Sequence, residues 1–212
     1  MNIPKFEEFE KTMIERHTKE VYEKLKNASV AIAGLGGLGS NIAVSLARAG
    51  VGTLFLTDFD KVDLSNLNRQ QYTVNDIGRY KTEALKDILL NINPYINVIY
   101  ETKRITEDNA VSTFKPYNIV CEAFDRADMK ALLINALLSS EPDKIIVSGS
   151  GMAGALSSNT IKTSHIFAGL YVCGDGVTDI SDTNGLMAPR VAICANHQAN
   201  MVVRLILGMS DV

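Results

Sequence analysis

The sequence predicts an α/β fold: a Rossmann-like, doubly wound, mostly parallel sheet with helices on both faces, an N-terminal helical segment and an irregular C-terminal extension. Three observations predict it. A glycine-rich turn, Gly34-Leu-Gly-Gly-Leu-Gly39, joins an apolar run to a helical pattern. Short apolar runs rich in β-branched residues alternate with helix-length segments along the chain. Two of those runs end on acids, Asp58 and Asp125, and strand ends are where open α/β sheets bind ligands.

The elements follow in order. Residues 5–27 read as charged helix, continuous or broken, with Phe6, Phe9, Met13, Ile14, Val21, Tyr22 and Leu25 as a packing stripe. Val30–Ala33 is a buried strand and Ser40–Arg48 a helix with Ile42, Ala43, Leu46 and Ala47 at helical spacing. Strand, glycine turn and helix N-terminus make a phosphate cradle, because glycine lets the backbone approach the anion and the first helical N–H groups point at it. Thr53–Thr57 is the next strand. Asp58 follows about 20 residues past the last glycine, the place of a ribose-binding carboxylate. Helix Thr82–Asn91 ends at Asn93-Pro94. Asn97–Glu101 is a strand, Thr106–Phe114 a helix with a threonine N-cap, Asn118–Ala123 a strand, Ala127–Leu138 a helix and Lys144–Ser148 the fifth strand. Thr160–Ile161 and Ile166–Val172 read as strand-like, Thr178–Gly185 as an exposed loop, and Met187–Leu207 as the closing helix.

A chain of 212 residues suits one domain with a sizeable core. Its 21 basic and 24 acidic residues leave a net charge of −3 with no basic block, so nucleic acid is not an expected partner. The N-terminus has no apolar leader and no run is long enough to span a bilayer, so neither a signal peptide nor a membrane partner is expected. Cys121, Cys173 and Cys194 are odd in number and widely spaced, which suits a reducing, cytoplasmic setting.

The glycine turn alone says nucleotide, and most such turns serve NAD or FAD. The segment from Asp58 to Gln70 decides against a dehydrogenase. An Asn, an Arg and a Gln packed beyond the ribose acid suit a triphosphate, whose extra charge needs cations. Lys81, at the start of a helix, opposes the helix dipole unless an anion is present.

These residues resemble the ThiF/MoeB/HesA family, which also forms the core of the ubiquitin-activating enzymes. The resemblance rests on Gly34–Gly39, Asp58-Phe-Asp60, Ser65-Asn-Leu-Asn-Arg-Gln70, Lys81 and Cys121-Glu-Ala-Phe-Asp125, and runs from about residue 28 to residue 208. Within the family the chain looks most like the short ThiF type, tied to thiamine synthesis. The resemblance implies a single adenylyltransferase domain over 1–212. Its parts would be a helical segment (1–27), a nucleotide-binding core (28–148) and a carrier-binding, dimer-supporting part (149–212). It implies ATP-dependent adenylylation of the Gly-Gly carboxylate of a small ubiquitin-like sulfur carrier of the ThiS kind, with pyrophosphate released. Nucleotide would be bound by Gly34, Gly36, Gly37, Gly39, Asp58, Ser65, Asn66, Arg69, Gln70 and Lys81. Asn66 and Arg69 would meet the phosphates, and Gln70 would shape the site. Arg69, Lys81, Asp125 and Arg16 would carry catalysis, with Arg16 reaching across a homodimer.

Two carboxylates beside a triphosphate repel it, and Mg²⁺ between them turns repulsion into attraction. Asp125 is therefore the candidate metal ligand. Its alternative is an N-cap for the following helix. The small residues Gly149–Gly154 leave room for a narrow extended tail, or form a plain turn.

Three departures qualify the resemblance. Arg126 stands where the family has Asn. Only Cys173 remains of the C-x-x-C pairs that bind zinc in longer relatives, so no structural zinc is expected. Ser181 stands where some relatives carry a sulfur-relay cysteine; Cys173 and Cys194 read as buried structural thiols, and His165 and His197 as structural. The alternatives are a MoeB-like activator of a molybdopterin or cysteine-pathway carrier, a non-catalytic adaptor for a ubiquitin-like protein, and an NAD(P)-dependent oxidoreductase.

Overall fold

The computed structural model describes residues 3–181, 183 and 185–212, so Asp182 and Asn184 of the expected exposed loop lie outside the described residues. Two helices, α1 (Phe6–His17) and α2 (Lys19–Lys26), precede the sheet. They are separated at Thr18, whose φ of 87° turns the chain. The repeat then runs β1 (Ser29–Ala33), α3 (Gly37–Ala49), β2 (Thr53–Asp58), α4 (Lys81–Ile92), β3 (Asn97–Thr102), α5 (Glu107–Phe114), β4 (Ile119–Glu122), α6 (Ala127–Ser140) and β5 (Ile145–Gly149). A hairpin, β6 (Lys162–Phe167) and β7 (Leu170–Gly174), and the helix α7 (Ala188–Ile206) follow.

The seven strands form one sheet in the order β3-β2-β1-β4-β5-β7-β6, parallel throughout except for the β6–β7 pair. Alternation on β1 explains the two layers. Val30 and Ile32 face a core built with α3, α4 and α7, through Leu46, Leu85 and Val202 among others. Ala31 and Ala33 face a second core with α5 and α6, through Phe114, Leu133 and Leu137. A strand buried on both faces reads as a continuous apolar run, as Val30–Ala33 does.

The expected strand Ile166–Val172 is corrected to two strands. Gly169 (φ 82°) reverses the chain between them, and a Cβ there would stand 2.6 Å from the Lys144 carbonyl oxygen. Thr160–Ile161 is likewise no strand: a short 3₁₀ turn, Ser158–Thr160, leads into β6. Thr106 is the N-cap of α5, and its backbone N–H donates to Asn109 Oδ1 at 2.9 Å. Among the described residues no helix is long and apolar enough to cross a membrane.

Candidate functional site

Strand order reverses beside β1, and the crevice opened there lies beyond the carboxyl ends of β1, β2, β4 and β5. It is a cleft of about 520 Å³. It brings together Gly34, Gly36, Gly37, Asp58, Asn66, Arg69, Gln70, Lys81 and Asp125 of the expected set. Gly39, Ser65 and Arg16 do not line it.

The glycines have separate tasks. Gly34 sits at φ 87°, and a Cβ there would crowd the Ala123 carbonyl at 2.9 Å. Gly37 leaves room for Val191 of α7, whose Cγ1 would stand 2.9 Å from a Cβ there. Gly39 is packed under the loop, where a Cβ would overlap the Gly34 carbonyl oxygen. Gly36 is the N-cap of α3, so the N–H groups of Gly37, Leu38 and Gly39 have no acceptor within the helix. Two carbonyls and a carboxylate fix this loop: Gly34 N–H donates to Thr57 O (2.9 Å), Tyr72 O–H to Leu35 O (2.9 Å) and Leu35 N–H to Asp58 Oδ2 (2.7 Å).

Asp58 thus braces the loop as well as facing the cleft. Burial pushes its carboxyl above the usual carboxylate range, partly offset by Lys81 and by the N–H groups of Asp60 and Leu35. Lys81 lies at the first turn of α4, where the dipole disfavours a cation. The protein supplies an anion for it: Nζ lies 3.0 Å from Asp60 Oδ2, with the lysine side chain 7% exposed and the aspartate 49%. Arg69 donates from one guanidinium nitrogen to Ser65 O (3.1 Å) and Asn68 Oδ1 (2.8 Å). Its loop is tied to α3 by Asn41, which donates to Gly37 O (2.6 Å) and Arg69 O (3.1 Å).

Ser65 is occupied elsewhere. Its hydroxyl and N–H both donate to Asp63 Oδ1, at 2.7 and 2.8 Å, closing a short 3₁₀ turn of which Asn66, not Ser65, lines the cleft. Arg16 is exposed on α1. Asp125 is exposed in the cleft and does not cap α6; the N-cap position is Arg126, whose guanidinium pairs with Asp128 (2.6 and 3.0 Å). Gly149–Ala153, at and beyond the end of β5, also line the cleft.

Several cleft residues carry no signal in short motifs. Phe59, 45% exposed, lies under the Arg104 guanidinium at 4.2 Å. Lys130, also in the cleft, pairs at 3.0 Å with the fully buried Glu122, which accepts further bonds from Ser148 Oγ and Phe124 N–H. Arg190 lies outside the cleft lining, on the buried stripe of α7 with Cys194 and Gln198.

The residues fit a nucleotide with magnesium. Thr57 Oγ1 and Gln70 Oε1 are buried beside the cleft without a hydrogen-bond partner among the described residues. Such acceptors suit a ligand rich in hydroxyl and amino donors. Among the described residues no three His, Cys, Asp or Glu side chains cluster as a protein-built metal site would. Mg²⁺ needs less, because it retains waters and takes one or two carboxylates plus phosphate oxygens, and the exposed Asp125 carboxylate in the cleft could serve as one of them.

Comparison with known proteins decides the family: the model described as the ThiF family matches residues 10–212. The chain belongs to the ThiF family. The probable adenylyltransferase/sulfurtransferase MoeZ of Mycobacterium tuberculosis is 41% identical over 122 residues, 57% of this chain and 31% of MoeZ. The adenylyltransferase and sulfurtransferase MOCS3 of Aedes aegypti is 32% identical over 202 residues, 89% of this chain and 44% of MOCS3. The probable molybdopterin-synthase adenylyltransferase of Porphyra purpurea is 30% identical over 199 residues, 91% of this chain and 52% of that protein. This ThiF-family chain therefore spans between 31% and 52% of the length of these relatives. Among solved structures, the E. coli tRNA N6-threonylcarbamoyladenosine dehydratase TcdA in complex with ATP superimposes with a TM-score of 0.84 at 20% identity, over 93% of both chains. E. coli MccB with ATP gives 0.66 at 24% identity, over 88% of this chain and 57% of MccB. These two likenesses are of fold.

Proposed function

We propose that this ThiF-family chain is an adenylyltransferase that activates the C-terminal Gly-Gly carboxylate of a small ubiquitin-like sulfur carrier, of the ThiS kind used in thiamine synthesis. The observation that supports it is the meeting of Arg69, Lys81 and Asp125 around the glycine turn, in one cleft that the small residues Gly149, Ser150, Gly151 and Ala153 also line. The names of MoeZ, MOCS3 and the Porphyra protein support the reaction type.

The carrier carboxylate is ionised at neutral pH, so no general base is needed. Its oxygen attacks the α-phosphorus of ATP. A new O–P bond forms as the bond to the bridging oxygen breaks, and pyrophosphate leaves with that electron pair. Catalysis is positioning and charge neutralisation. The first N–H groups of α3 hold phosphate, Asp58 holds the ribose, and Arg69 and Lys81 balance charge on the phosphates. Asp125 would hold Mg²⁺, which when bound neutralises further phosphate charge. Lys81 arrives buried and already ion-paired with Asp60, so it is fixed in place before substrate enters.

The reading includes a homodimer in which Arg16 of each chain serves the opposite cleft. It also includes a cytoplasmic setting, which suits three buried free thiols. The relative named for molybdopterin synthase supports a second reading, a carrier of that pathway. ATP–pyrophosphate exchange with a panel of purified carriers tests both. The ThiS-like carrier is expected to drive exchange, and exchange driven only by the molybdopterin-type carrier would favour the second reading. Arg69→Ala and Asp125→Ala are each expected to abolish exchange while changing stability by no more than about 0.5 kcal/mol, as for most surface changes. Normal exchange in both would place the chemistry elsewhere.

A further inference from the structure

On the reading above, the cleft takes nucleotide at the glycine turn and the acyl tail, its acyl end, at the walls 150–153 and 178–180, and those walls hang on one buried ion pair. Asp175, just past β7, meets Arg190 in the first turn of α7, with side chains only 6% and 4% exposed. Asp175 Oδ1 accepts from Val177 N–H (3.0 Å), Thr178 N–H (2.9 Å) and Thr178 Oγ1 (3.0 Å), and Oδ2 accepts from Thr178 Oγ1 (2.9 Å) and Arg190. Arg190 donates onward to Ser157 O (2.6 Å) and Thr160 Oγ1 (3.2 Å). The backbone completes the weld: Asp175 N–H donates to Gly151 O (2.9 Å) and Gly176 N–H to Ser150 O (3.1 Å). Gly151 has no room for a Cβ, which would overlap Asp175 Oδ1.

The segments tied here, 150–151 and 175–178, lead directly into two cleft walls, Ser150–Ala153 and Thr178–Ile180. None of these hydrogen bonds reaches Gly34, Asp58, Arg69 or Lys81. A buried charge pair bonded on several sides has a fixed geometry, and removing one partner strands the other. Neither Asp175 nor Arg190 lines the cleft itself, so they act through the walls they hold.

We infer that Asp175 and Arg190 are positioning residues that set the shape of the acyl end, and so govern affinity for the carrier tail without governing affinity for ATP. This rests on the adenylyltransferase reading above. The test combines exchange kinetics with hydrogen exchange on the whole chain. Asp175→Asn, Arg190→Lys and the milder Thr178→Val, which leaves the ion pair intact, are each compared with the unmodified chain. The carrier used is a ThiS-like protein ending in Gly-Gly. The expected result is a KM for carrier raised tenfold or more in the first two variants and about threefold in Thr178→Val, with KM for ATP within twofold. Amide exchange should quicken in 150–153 and 175–181 and stay unchanged in 34–41. A loss of ATP affinity as large as that for carrier, or quickened exchange spreading into 34–41, would overturn the inference. If the ion-pair variants do not fold, Thr178→Val decides: an unchanged KM for carrier overturns it. If the unmodified chain shows no carrier-dependent exchange, the adenylyltransferase reading fails, and the positioning role is then read from amide exchange in the same segments.

Discussion

The three thiols are held protonated by where they lie. Burial pushes Cys173 up to about 11 against a hydrogen bond with Thr163, and pushes Cys194 up to about 12, with Cys173 adding to it. Burial also raises Cys121. The thiolate is the nucleophile, so these groups are poor candidates for sulfur relay. The sign of the linkage follows. A folded pKa above the ordinary thiol value stabilises the fold fully below about 8.5, and that contribution is lost as pH rises toward 11. Stability is therefore expected to decline between about pH 9 and pH 11, in denaturant titrations at stepped pH. Iodoacetamide should label the native chain at pH 8 far more slowly than the unfolded chain, as mass spectrometry reads it. The glycine turn gives a second expectation. Gly39→Ala forces a Cβ onto the Gly34 carbonyl. It should destabilise the chain by about 1–3 kcal/mol, the range for overpacking, and weaken ATP binding more than Gly36→Ala, whose Cβ would meet only Gln70 at 3.8 Å.

Thr18 links α1 to α2 with φ 87° and ψ 154°, a conformation that strains any residue with a Cβ. Its hydroxyl accepts weakly from Val21 N–H at 3.4 Å. Glycine relieves the strain and loses only a few tenths of a kcal/mol as an N-cap. Thr18→Gly is thus expected to raise the melting point, by about 1 kcal/mol of stability, where an ordinary Thr→Gly change lowers it. Lys144 shows the opposite case. Burial lowers its ammonium below the usual lysine range, yet Nζ donates to Phe114 O, Lys115 O and Tyr117 O at 2.9–3.1 Å, closing the end of α5. Lys144→Met leaves those carbonyls without their donor and should cost about 2 kcal/mol or more in equilibrium unfolding. Neither device was legible. The glycine turn, β1 and β2 were, because local chemistry and burial agree there: apolar runs buried on both faces, then glycines where only glycine fits. The β6–β7 hairpin was missed because His165 to Val172 is apolar or β-prone on both sides of the reversal, leaving Gly169 as its only mark. The Lys81–Asp60 and Arg190–Asp175 pairs were missed because each joins residues at least 15 apart, a separation that carries no periodicity.

Across the molecule, one side chain of the expected set stands apart. Arg16 is exposed on α1, a helix with no buried residue, and takes no part in the cleft formed by its own chain. In the last turn of α1 its charge complements the helix dipole, and a catalytic role for it would need a second chain. In the proposed two-fold dimer Arg16 of each chain would serve the opposite cleft, and each active site would be built from two chains. That arrangement makes a quantitative forecast. Arg16→Ala and Lys81→Ala should each be inactive alone in carrier-dependent exchange. In a mixed dimer one cleft has Lys81 from its own chain and Arg16 from the other, while the second cleft lacks both. Equal mixing with free subunit exchange makes half the dimers mixed, and half of their clefts complete. About one quarter of the unmodified activity should return, since closed two-fold pairing permits no other combination. Lys81→Ala mixed with Asp125→Ala should return nothing, because both side chains belong to the same cleft of the same chain. Recovery in that control, or none in the first mixture when the mixed dimer is shown to form, would remove Arg16 from the opposite site.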